Sequence, residues 1–76
     1  MTDMPQILSP EVWLSHLFSS QAAREGAVIR RKVRDVERFV GREPFLQDMR
    51  RRGFAVVENS GLFIIFCNRE PIRRVA

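Results

Sequence analysis

Seventy-six residues, 45% of them hydrophobic, with one cysteine and a net charge of +4, bound the chain to one small domain. They exclude a (βα)₈ barrel, which takes about 250 residues, an intramolecular disulfide, and intrinsic disorder. No apolar run approaches the ~20 residues of a membrane span, and no charged leader precedes an apolar segment, so the expectation is a reduced, cytoplasmic protein.

In chain order, residues 1–8 read as an N-terminal arm. Ser9-Pro10-Glu11 starts a helix: serine supplies the cap oxygen, proline sits at the first helical position, and glutamate meets the positive end of the dipole. Trp13, Leu14, Leu17, Phe18 and Ala22 recur at helical spacing, and Gly26 stops the helix, which gives a span of 10–24. Residues 27–40 are ambiguous. Ile29, Val33, Val36 and Val40 fit a helical stripe, while Ala27-Val28-Ile29 begins a strand pattern; the preferred reading is a strand over 27–33 and a short helix over 35–40 capped by Asp35. Arg42-Glu43-Pro44 opens a second main helix, 43–52, with Phe45, Leu46 and Met49 inward and Arg50-Arg51-Arg52-Gly53 at its end.

Residues 54–67 read as a β-hairpin that is apolar on both faces. Asn59-Ser60-Gly61 suits a three-residue loop with Gly61 at positive φ, and Glu58 then pairs with Leu62. That register places Phe54, Val56, Leu62, Ile64 and Phe66 on one face, expected to be core. The other face, Ala55, Val57, Phe63, Ile65 and Cys67, is the expected interface, and the 27–33 strand puts Arg30 and Lys32 beside one of the two faces as a polar rim. Asn68-Arg69-Glu70-Pro71 breaks the last strand, and 69–76 is a basic tail. The expected architecture is α+β: a single domain over 9–68 whose strand and hairpin make a small three-stranded sheet.

The basic character is confined to residues 28–76, which hold twelve Arg or Lys against six carboxylates, whereas 1–27 hold Arg24 against Asp3, Glu11 and Glu25. Arginine makes paired hydrogen bonds to phosphate. Arg30, Lys32, Arg42, Arg50, Arg51, Arg73 and Arg74 are therefore candidate phosphate contacts, against the plainer reading of dipole complementation and surface solvation. The element order is also that of a winged helix-turn-helix, with 35–41 supporting, 44–52 reading and 54–67 as the wing. The reading helix is short and the wing unusually apolar.

Catalytic constellations are sparse. His16 is the only histidine, and Ser15 and Ser19 beside it specify no nucleophile–base geometry. One His and one Cys do not make a metal site, and the four glycines stand singly, so no phosphate loop is present. Cys67 reads as a small buried hydrophobe.

The segment Arg34-Asp35-Val36-Glu37-Arg38-Phe39-Val40-Gly41-Arg42, then Arg51-Arg52-Gly53-Phe54 and Phe66-Cys67-Asn68-Arg69-Glu70-Pro71, resembles a family of very short bacterial proteins, over residues 10–74. Some members of that family are labelled N-(5′-phosphoribosyl)anthranilate isomerase. The resemblance implies an enzyme of tryptophan biosynthesis or an accessory role near it. That isomerase activity resembles a full barrel enzyme with a Cys and Asp pair on different strands, so no residue here is assigned to it.

Taken together, the residues lead to a non-enzymatic binding or accessory module without cofactor or metal, associating with itself or another protein through an apolar hairpin face. A basic nucleic-acid module is the alternative, and an enzyme of tryptophan biosynthesis a distant third.

Overall fold

A computed structural model describes residues 9–76; the expected arm, 1–8, lies outside them. The elements are α1 (Pro10–Phe18), α2 (Gln21–Arg24), β1 (Val28–Lys32), α3 (Val33–Phe39), α4 (Arg42–Arg52), β2 (Ala55–Asn59) and β3 (Leu62–Phe66). The three strands form one antiparallel sheet in the order β1-β3-β2. The α+β architecture is thus as the sequence implies.

Two helical boundaries differ from expectation. The span 10–24 is broken after Phe18, because Ser19 and Ser20 turn their hydroxyls onto the backbone. Ser19 Oγ donates to the His16 carbonyl and Ser20 Oγ to that of Leu17, each at 3.0 Å. Ser20, extended at ψ 156°, then accepts from the Ala23 amide and caps α2. Such side-chain bonds compete with the helical ladder. Helix α3 begins at Val33 directly from the strand, with Lys32 at the cap position. Asp35 is in its first turn, where a carboxylate meets the dipole, and is not the cap.

The hairpin register is the larger correction. Ser60 and Gly61 both take positive φ, 53° and 74°, the signature of a two-residue type I′ turn. Asn59 therefore pairs with Leu62, and Glu58 with Phe63. A slip of one residue turns one strand over relative to its neighbour. Val56 thus shares a face with Phe63 and Ile65, and Val57 with Ile64.

All four helices contribute to a layer on one side of the sheet. Leu17, Val36, Phe45 and Met49 pack with Ile29, Phe63, Ile65 and Cys67 in a single core, and Phe54 and Val56 lie at its margin. Phe45 stacks on Phe63 with ring centroids 5.3 Å apart. At the helix end Gly53, φ 77°, returns its amide to Arg50, and the Phe54 amide reaches the Met49 carbonyl at 2.9 Å. This is the close-out that a left-handed glycine provides. The chain after β3 is fastened to the domain by Asn68, whose side chain donates to the Gly26 carbonyl at 2.9 Å, and by Arg69, which donates to that of Arg52 at 3.2 Å.

Candidate interaction surfaces

Side chains alternate along a strand, so the register fixes what the uncovered side of the sheet displays. Down the middle strand run Leu62, Ile64 and Phe66, each half-buried, with none of them in the core cluster. Beside them lie Val28 on β1 and Ala55 and Val57 on β2; Val28 is 38% and Val57 40% exposed. Arg30 pairs with Ile64 and Lys32 with Leu62, which makes the expected basic rim along β1. No described helix packs on this face. The result is an apolar stripe with cations on one flank.

The five expected interface residues do not share a face. Ala55 and Val57 are on the uncovered side, but Phe63, Ile65 and Cys67 are 2%, 0% and 4% exposed and belong to the core. Conversely, Leu62, Ile64 and Phe66, expected in the core, face outward. The cause is the two-residue turn. Burial pushes the Cys67 thiol pKa up, against the weaker pull of Arg31 and Arg52, so it sits as a buried hydrophobe.

The basic candidates are also dispersed. Arg42, at the start of α4, lies over the Phe63 ring and donates to Glu58 at 2.5 Å and Glu37 at 3.4 Å. The Glu58 hydrogen bond and charge, with those of Glu37, raise its pKa further. Arg51 bonds Asp48 from one turn away, and Arg52 Nε reaches the other oxygen of that carboxylate at 2.8 Å. Arg52 also lies 4.2 Å above the Phe18 ring, which in turn meets Phe54. The arginine run therefore anchors a buried aspartate as well as closing a helix. Arg50 is exposed and has no ion pair among the described residues. It is eight residues from Arg42, about 12 Å along the helix. Arg73 and Arg74 are exposed in the tail after β3, outside any helix or strand. Asp48 was missed by sequence reasoning, although Asp48-x-x-Arg51-Arg52 carries the i, i+3 and i, i+4 spacing of a helical ion pair.

Burial raises the Asp48 carboxyl pKa, yet the hydrogen bonds and charges of Arg52 and Arg51 outweigh it and hold the group below its usual value. His16 is exposed, on a shallow groove with Trp13, Leu17 and Arg31. A second groove, of about 390 Å³, runs between α4 and β2 and is lined by Leu46, Met49, Arg50, Phe54, Ala55 and Val56. Among the described residues no three of His, Cys, Asp and Glu are grouped to hold a metal ion, and no helix is long and apolar enough to cross a membrane. No family model, curated protein or solved structure matches the chain.

Proposed function

We propose that this is a non-enzymatic association module of the cytoplasm, which docks a second copy of itself through the uncovered face of its sheet. The observation that carries the reading is the stripe Leu62, Ile64 and Phe66 with Val28 and Val57 beside it. An antiparallel sheet with helices on one side ordinarily alternates apolar-in and polar-out, and β3 does not. Contiguous apolar surface of this kind marks an interaction site, and a two-fold pair is the commonest way to cover a self-complementary patch. Placing the axis parallel to the strands sets β1 over the partner's β2, which keeps Arg30 and Lys32 away from their own copies. Light scattering tests the reading: the native chain exceeds monomer mass, and Ile64→Asp stays folded and loses the part of that mass which the face contributes. A native chain that stays monomeric near 1 mM, where even weak association shows, would overturn it.

A second reading has one observation in its favour. The order of elements, with β3 between β1 and β2 and α3 followed by α4, is that of a winged helix-turn-helix. Electrostatics speak against phosphate at the reading end. Glu37, Glu43 and Glu58 surround the start of α4, and Arg42 is already held by two of them. The wing is a two-residue turn. Nucleic-acid binding that weakens steeply with salt and is lost in Arg50→Glu would restore this reading.

A further inference from the structure

The hydrogen-bond parity of the sheet fixes which backbone groups point off its edges. The Cys67 amide donates to the Ala27 carbonyl at 3.1 Å and the Val33 amide to that of Gly61 at 2.9 Å. Alternation then turns the amides of Phe63 and Ile65 toward β1, and those of Leu62, Ile64 and Phe66 toward β2. The turn agrees, since Asn59 and Leu62 close it as a bonded pair. On β2 the inward residues are thus Ala55, Val57 and Asn59. The N–H and C=O of Val56 and Glu58 point away from the sheet, and no described residue bonds to them.

The two edges of the sheet are treated differently. On β1 the edge carries Arg30-Arg31-Lys32, and Arg31 Nη1 donates to the Arg30 carbonyl at 2.7 Å. Cations and occupied carbonyls are how natural edges refuse another strand. The β2 edge, Ala55-Val56-Val57-Glu58-Asn59, has no cation, proline or bulge. Its one charge, Glu58, is drawn back to Arg42. Beside this open edge lies the α4–β2 groove with Arg50 at its margin.

We infer that the β2 edge is a strand-addition site whose occupant is β2 of a second copy, paired antiparallel about Val57 to give a continuous six-stranded sheet. Only one register lets both outward residues bond fully: Val56 opposite the partner's Glu58, and the reverse, with four hydrogen bonds across the axis. Val57 then meets the partner's Val57 as a close non-bonded pair. The same register brings the partner's Glu58, which its own Arg42 holds, alongside Val56 at the groove that Arg50 lines, so Arg50, without an ion pair among the described residues, adds a second cation to that carboxylate. The partner's α4 covers the groove left open over Val56. This edge is distinct from the outer face, and the two associations are separable.

Amide hydrogen exchange on the native chain, at about 10 µM and about 1 mM, reads the edge directly. The expected result is concentration-dependent slowing, about tenfold, at Val56 and Glu58, with Val57 protected throughout. The slowing persists in Ile64→Asp, which removes association through the face. Fast exchange at Val56 and Glu58 at both concentrations would overturn the edge pairing whatever the measured mass. So would slowing that vanishes in Ile64→Asp, since it would then come from face packing. As a second measurement, Val57→Cys under oxidised glutathione forms a disulfide-linked dimer about tenfold faster than the turn variant Ser60→Cys, as local concentration dictates. Equal rates would count against the register.

Discussion

The two sides of β3 are built from the same kinds of residue and live in opposite environments. Phe63, Ile65 and Cys67 are sealed under the helices, while Leu62, Ile64 and Phe66 look outward from the other side of the strand. Apolarity therefore says nothing about which side is core; register and helix placement decide it. Ile64 and Ile65 make the contrast measurable, being neighbours of one chemistry. Ile65→Ala removes a fully buried side chain and costs about 2–5 kcal/mol in a thermal or urea melt. Ile64→Ala, measured at dilutions where the chain is monomeric, costs less, about 1–2 kcal/mol, because its side chain is only partly buried. Equal costs would mean that the outer face is covered in the folded monomer.

Much of this fold is legible in the residues. Ser9-Pro10-Glu11 specifies the start of α1, Pro44 lies in the first turn of α4, Gly53 ends it at φ 77°, and the β1 strand emerges from a stretch that also fits a helical stripe. What fails is local and has physical causes. Two consecutive serines look like a polar helix face until their hydroxyls take backbone partners. Asn59-Ser60-Gly61 fits a two-residue loop as well as a three-residue one, and choosing between them depends on whether Ser60 accepts φ 53°. That single angle moves Phe63, Ile65 and Cys67 from the expected interface into the core. The surface itself was legible as a surplus of apolar positions; which of them form it was not.

The covered side also differs in having a helix braced along its own length by charge. Asp48 is 7% exposed and takes bonds from both Arg51 and Arg52. Asp48→Asn keeps the shape and weakens those bonds, at a cost of about 1 kcal/mol at neutral pH, the low end for a charged hydrogen bond because Arg51 is exposed. The folded carboxyl has its pKa lowered. Its stabilisation is therefore complete above the unfolded value, about 3.9, and is lost as pH falls through the folded value beneath it. Native and variant melts should differ at pH 7 and converge in acid. A gap that survives at the lowest pH would assign Asp48 a packing role and leave α4 held by its apolar face alone.

The smallest effect tests the register on which the whole contrast stands. In a type I′ turn both central residues need positive φ, and asparagine at the first of them is strongly preferred to serine. Ser60→Asn should raise stability by about 0.5 kcal/mol, a gain of about 2–4 °C in melting temperature for a domain of this size. In a three-residue loop only Gly61 would need positive φ, and Ser60 would gain nothing from the change. The side chain at 60 is exposed at the tip, where its hydroxyl reaches only the Asn59 amide oxygen, so the substitution leaves both sheet faces intact. A rise in melting temperature with no change in mass would fix Glu58 opposite Phe63, and with it Val56 on the face of Ile65 and Val57 on that of Ile64. No rise would return Glu58 to Leu62 and turn β2 over against β3, setting Ala55 and Val57 on the face of Phe63 and Ile65.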